Sequence, residues 1–128
     1  LLVKRKRLKN NSSVVFTASI SGYNNVAPAN GIYGTSKSAL SAYMKYAALE
    51  LAGKGIRCNA VHPGRINTPL ISNRMLTEED VAKDVEQYPL KRYGEPSEVA
   101  HAIIYLLSDA ASWVTGTNLV IDGGRSLK

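Results

Sequence analysis

The run Ile32-Tyr-Gly-Thr-Ser-Lys-Ser-Ala-Leu-Ser-Ala-Tyr-Met-Lys-Tyr-Ala-Ala-Leu-Glu-Leu-Ala52, with Gly53-Lys-Gly55 and Ile56-Arg-Cys-Asn-Ala-Val-His62 behind it, decides the fold. Ala39, Leu40, Tyr43, Ala47 and Leu51 recur at helical spacing, which predicts a helix over 32–52 with this stripe as its core face. Gly53 and Gly55 stop it. From Ile56 to His62 the period drops to two, with Ile56, Cys58 and Ala60 alternating with their neighbours, and Pro63-Gly64 ends the strand. Upstream, Ser13-Val-Val-Phe-Thr-Ala-Ser19 is short, mostly apolar and rich in β-branched residues, as a strand buried on both faces is. The loop Ile20–Gly31 joins it to the helix, punctuated by Gly22, Asn24-Asn25, Pro28 and Asn30-Gly31. Strand, helix, strand in this order predicts parallel pairing through a right-handed crossover.

Farther out, Thr77-Glu-Glu-Asp80 opens a polar helix, with Thr77 as cap and carboxylates in its first turn. Pro96 suits the first position of another helix, whose core stripe is Val99, Ile103, Leu106 and Leu107. Asn118-Leu-Val-Ile-Asp122 predicts a third strand, closed by Gly123-Gly124. Leu1 to Lys9 reads as the last turns of a helix, ended by Asn10-Asn11 and Ser12. The fold class is therefore α/β, with three strands and crossover helices. Thr68 to Tyr93 is the most loop-like interior stretch. It follows a strand's carboxyl end, where ligands enter open α/β sheets.

Composition narrows the function classes. The 128 residues fit one domain and not two, and 45% hydrophobic against 20% charged residues describes a globular chain. No run of about eighteen apolar residues is present, so no membrane partner is expected. The first residues place their charges after a very short apolar stretch, the wrong order for a secretory signal, and there is no initiator methionine. This reads as a truncated or processed chain. Cys58 is the only cysteine. It excludes an internal disulfide or a cysteine metal cluster, fits a reducing, cytoplasmic compartment, and reads as a buried core thiol. Five of the sixteen Lys and Arg residues lie between Lys4 and Lys9, leaving 11 basic against 10 acidic elsewhere. With no aromatic residues interleaved, that cluster reads as a solvated helix end and not a nucleic-acid site. His62 and His101 are read as structural, and no metal site is expected.

The chemistry rests on Tyr33 and Lys37. Four apart on a helix, they lie on one face about a turn from each other. A neighbouring ammonium favours phenolate, which makes Tyr33 a candidate proton donor or acceptor near neutral pH. Ser19, at the end of the first strand, can hold the oxygen that gains or loses the proton. Ser21 is its rival for that role. The combination points to carbonyl/alcohol chemistry. Pro63-Gly64 ends the second strand where backbone is expected to approach a flat ligand closely, which suits glycine.

Four ordered motifs now stand together: Ser19-x-x-Gly22, Tyr33-x-x-x-Lys37, Asn59-x-x-x-Pro63-Gly64-x-x-x-Thr68, and Thr115-Gly-x-x-x-x-x-Asp122-Gly-Gly124. From about Asn10 onward the chain resembles the C-terminal half of a short-chain dehydrogenase/reductase, with a doubly wound, Rossmann-like parallel sheet. The pattern is most similar to the 3-oxoacyl-acyl-carrier-protein reductase-like members, and the stretch Leu90–Ala100 strengthens that likeness. The resemblance implies NAD or NADP as cofactor and a small-molecule ketone or secondary alcohol as substrate, a 3-oxoacyl thioester being the first guess. It implies Tyr33 as proton donor, Ser19 as ligand of the substrate oxygen, and Lys37 as partner of Tyr33 and of the nicotinamide ribose. Pro63, Gly64, the backbone of Ile66 and Thr68 would meet the cofactor, Ser21 would be a loop hydroxyl, and Asn59 would brace the active-site loops. Gly123-Gly124 would be a turn near subunit contacts. Tyr43, Met44 and Tyr46 would face partly outward toward a homodimer or homotetramer partner.

The family's glycine-rich nucleotide turn, its Asn-Asn-Ala-Gly strand motif and its helix asparagine have no counterpart here. Residues 1–128 therefore read as a partial Rossmann-like domain whose nucleotide-binding N-terminal half is absent. Such a piece would leave an open sheet edge beside Ser13–Ser19 and would be inactive alone. The rival reading is a catalytically silent oligomerisation or interaction module.

Overall fold

The structure, a computed structural model, describes residues 8–69 and 77–128. Its elements are β1 (Ser13–Thr17), α1 (Gly31–Leu51), β2 (Arg57–Pro63), α2 (Glu78–Val85), α3 (Pro96–Leu107) and β3 (Asn118–Ile121). The three strands form one parallel sheet in the order β1-β2-β3, with Ser13 opposite Arg57 and Ala60 opposite Asn118. β2 is central, and Cys58 to His62 are buried. Among the described residues β1 pairs with β2 alone, leaving its other edge open.

Alternation along β2 divides the core. Cys58 and Ala60 pack with Ile56 against Met44, Ala47 and Ala48 of α1, and Leu8, Val14, Phe16 and Leu51 close around them. Burial pushes the Cys58 thiol above its ordinary value, which keeps it protonated and inert. On the other face β1 and β2 meet α3. There the Arg57 guanidinium donates to the carbonyls of Leu106 and Ser108, at 2.7 and 3.0 Å, and Ser13 Oγ donates to Leu106 at 2.9 Å. A cation and a hydroxyl thus satisfy carbonyls that the end of α3 leaves without helical partners.

Local signals behave as elementary chemistry requires. Gly55, at φ 68, takes the left-handed turn behind the 3-10 turn Ala52–Lys54. Thr77 and Asp80 form a reciprocal capping box at α2, and Pro96 occupies the first turn of α3. β1 ends two residues before Ser19, which instead caps the 3-10 turn Ile20–Gly22. Of the anticipated helical end at Leu1–Lys9, residues 1–7 lie outside the described residues, as do residues 70–76 of the loop-like stretch.

Two expected stripes are corrected. The buried positions of α1 are Gly34, Ser41, Met44, Ala47 and Ala48. Met44 is fully enclosed where an outward position was expected, while Tyr43 is 62% exposed. Small residues bring the helix close to the sheet and Met44 fills the remaining gap. A polar Ser and a Gly in that stripe hide it from a hydropathy reading. In α3 only Leu106 is buried, and Leu107 turns out to solvent. The next residue round a helix is displaced by about 100°.

Candidate active site

Ser19, Tyr33, Gly64, Ile66 and Thr68 line one cleft of about 370 Å³ at the carboxyl ends of β1 and β2, together with Ser21, Arg65 and Tyr88. Lys37, Pro63 and Asn59 stand outside its lining. The cleft has two walls, one built by the turn after β1 and the start of α1, the other by residues 64–68 and Tyr88.

The first wall is locked main chain to main chain. A β-carbon on Gly22 would come within 2.5 Å of Ser38 N and 2.6 Å of the Lys37 carbonyl carbon. One on Gly34 would lie 2.7 Å from Ser21 O. These two glycines let the Ser19 turn press against α1, and Ser38 Oγ donates to Gly22 O at 2.8 Å to fasten it. Ser19 is buried, and its Oγ accepts from Ser21 N–H at 3.2 Å. The hydroxyl proton remains available to a ligand. Tyr33 stands about half exposed on the rim. Lys37 Nζ lies 5.7 Å from the Tyr33 ring centroid and donates to Thr17 O at 3.1 Å. The strand end thus holds the ammonium beneath the phenol.

His62 sits behind Ser19 without solvent exposure. Its Nδ1 is 2.9 Å from Ser19 O, and its Nε2 is 2.9 Å from Asn118 Oδ1 and 3.3 Å from Ser41 Oγ. A carbonyl only accepts, so Nδ1 carries a proton. The imidazole thus holds the Ser19 carbonyl from a place packed between β3 and α1. Reading His62 as structural missed this link to the site, and missed Gly34 as well. The one sequence signal for Gly34 was a glycine in the first turn of a helix, where no turn requires it.

The second wall is held by longer reach. Gly64 N–H donates to Ile121 O at 2.9 Å, and a β-carbon there would lie 3.0 Å from Asp122 Cα. Glycine at 64 thus also relieves internal crowding, against the end of β3. Beyond it, Arg65 O and Asn67 N–H both bond to Gly94, at 3.0 and 2.8 Å. In extended backbone the intervening Ile66 groups point the opposite way. Thr68 Oγ donates to Ile66 O at 3.3 Å, while Ile66 N–H has no protein acceptor among the described residues. A main-chain donor left without a protein partner beside a hydroxyl fits a ligand amide. Arg65 pairs with Asp84 at 2.9 Å and approaches Tyr93 OH at 3.3 Å, and its N–H donates to Tyr88 OH at 3.2 Å. Burial pushes the Tyr88 phenol up, so it stays a neutral hydroxyl.

Asn59 is fully buried on the α3 face of the sheet. It donates to Val114 O at 2.9 Å and accepts from Thr117 N–H at 3.1 Å, bracing the approach to β3. No cleft residue bonds to it. Among the described residues no group of three His, Cys, Asp or Glu side chains is placed to hold a metal ion, and no helix is long and apolar enough to cross a membrane.

Comparison with known proteins agrees with this architecture. The family model described as enoyl-(acyl-carrier-protein) reductase matches residues 2–126. Cyclohexanol dehydrogenase of Acinetobacter sp. (strain SE19) is 45% identical over 116 residues, covering 91% of this chain and 44% of that protein. The 3-oxoacyl-[acyl-carrier-protein] reductase FabG of Thermotoga maritima is 43% identical, covering 89% of this chain and 45% of that protein. A short-chain type dehydrogenase/reductase from Mycobacterium ulcerans superposes with a TM-score of 0.85 at 39% identity, over 91% of this chain and 42% of its own. The chain spans a little under half the length of these relatives.

Proposed function

We propose, from the premise that this chain belongs to the short-chain dehydrogenase/reductase family, that it carries the proton-transfer half of an NAD(P)(H)-dependent oxidoreductase acting on a ketone or secondary alcohol. The carrying observation is that the Ser19 hydroxyl and the Tyr33 ring line one cleft, with the Lys37 ammonium 5.7 Å from that ring. Bound nicotinamide would supply or accept the hydride. The Ser19 hydroxyl donates to the substrate oxygen, and Tyr33 Oη delivers the proton to that oxygen in reduction or removes it in oxidation. Lys37, held by Thr17 O, stabilises the phenolate left behind. The Ile66 N–H and the Thr68 hydroxyl are the groups to hold the nicotinamide amide. Ketones of the kinds named for the relatives, a cyclic ketone or a 3-oxoacyl thioester, are the substrates to try.

Two experiments test this. In a chimera, the matching half of the Acinetobacter cyclohexanol dehydrogenase is replaced by this chain, and nicotinamide oxidation or reduction is followed by absorbance. Tyr33→Phe should lower kcat at least about 100-fold with assembly retained. Undiminished turnover would remove Tyr33 from the mechanism and favour an interaction module. The isolated 128 residues carry no glycine-rich phosphate turn between strand and helix, so titration with NADH or NADPH should show neither saturable binding nor turnover. Micromolar binding with turnover would overturn that part of the proposal.

A further inference from the structure

The first wall presents two hydroxyls to the cleft, and only one has a role so far. Ser21 lines the same cleft as Ser19, and its Oγ accepts from Asn30 Nδ2 at 3.1 Å. With a lone pair so engaged and no acceptor for its proton among the described residues, the Ser21 hydroxyl is a free donor. Asn30 is the residue before α1, where an asparagine ordinarily turns its side chain onto the helix's own first amides. Here it makes no such cap and reaches across to Ser21. The helix start forgoes a stabilising contact to fix one serine oxygen on a cleft wall, as expected where positioning outweighs local stability.

Ser19 Oγ is 3.2 Å from Ser21 N, and the serine side chain adds at most about 4 Å, so the two hydroxyls are no more than about 7 Å apart. A ligand whose carbonyl accepts from Ser19 therefore has a second donor close enough to reach an oxygen borne one or two carbon atoms from that carbonyl. We infer that Ser21, oriented by Asn30, is a specificity residue, and that the substrate bears a second oxygen, hydroxyl or carbonyl, on a carbon adjacent or next-but-one to the reacting ketone. This rests on the carbonyl-site reading of the same cleft.

The test compares cyclohexanone with 2-hydroxycyclohexanone, which differ by one hydroxyl, titrated into the whole chain and followed by amide NMR shifts of residues 19–33. The native chain should bind the hydroxyketone about tenfold more tightly, as one hydrogen bond of ordinary strength allows. Ser21→Ala should bring that ratio to about one. Asn30→Asp keeps a capping residue of the same size but turns an acceptor onto Ser21 and consumes its proton, so it too should bring the ratio to about one. A native ratio near one, with cyclohexanone bound, overturns the inference and leaves the carbonyl site standing. A tenfold ratio that survives both variants overturns it as well. If neither ketone binds the native chain, the carbonyl-site reading falls and the inference with it.

Discussion

The wall that carries Ser19 and Tyr33 is held by two glycines at which any β-carbon would strike main chain, Ser38 N beside Gly22 and Ser21 O beside Gly34. The wall that carries Ile66 and Thr68 rests on Gly94, where the one overlap of a β-carbon would be with the tip of the Ile66 side chain, at 2.7 Å, the Arg65 carbonyl lying at an ordinary 3.9 Å. Backbone in a packed helix cannot step aside, whereas an isoleucine can change rotamer. The first wall is thus a rigid mount for the groups that handle a proton. The second, beyond Gly64, can adjust to what lies against it.

The same substitution on the two walls should separate them. Gly22→Ala should destabilise the chain by about 3 kcal/mol, read from urea denaturation, because relieving the overlap means parting the Ser19 turn from α1. A midpoint near the native one would show that the first wall is not locked. Gly94→Ala should cost about 1 kcal/mol or less, since Ile66 can swing away. A loss as large as that of Gly22→Ala would make the two walls equally rigid and remove the contrast.

The smallest effect belongs to the exposed clasp behind the second wall. Glu98 is held at about 2, below its ordinary 4.5, chiefly by the Arg92 side chain, which donates at 2.7 Å to each carboxylate oxygen, and then by Glu95 N–H at 2.8 Å. A depressed carboxylate contributes stability above its unfolded value and loses it as pH falls through the folded one. The clasp is therefore intact above about pH 5 and is lost between there and about pH 2. Because the pair is solvent-exposed the effect is small, and salt screens it further. Thermal midpoints from pH 6 to 2 should fall slightly more steeply for the native chain than for Glu98→Gln. Identical slopes would mean that the clasp adds nothing.

The two walls also differ in how far the sequence exposed them. Ser19, Gly22, Tyr33 and Lys37 lie within nineteen residues of one another, so strand, turn and helix periodicity, with the family pattern, place them near each other. The hold on Ile66 depends on Gly94 and Tyr88, more than twenty residues away. Nothing local marks a glycine as the seat of a distant isoleucine, or a tyrosine hydroxyl as the acceptor for Arg65 N–H. Met44 shows the same limit on a helix. Whether a residue beside a tyrosine faces in or out depends on which rotation packs best, and Gly34 and Ser41 decided that without a hydrophobic signal.

The sequence by itself determined the βαβ order, the parallel pairing, the cap at Thr77 and the first-turn place of Pro96, and the nomination of Ser19, Tyr33 and Lys37. Each of these follows from periodicity, backbone restriction or a short motif, all of them local in the chain. Tertiary structure alone decided the rest. It buried His62 between Ser19, Ser41 and Asn118, set Gly64 against Asp122, turned Asn59 to the approach of β3, and drew Asn30 away from its helix to hold Ser21. The physical reason is that each of these polar or crowded groups finds its partner across the fold, and such partners are fixed only when the layers pack.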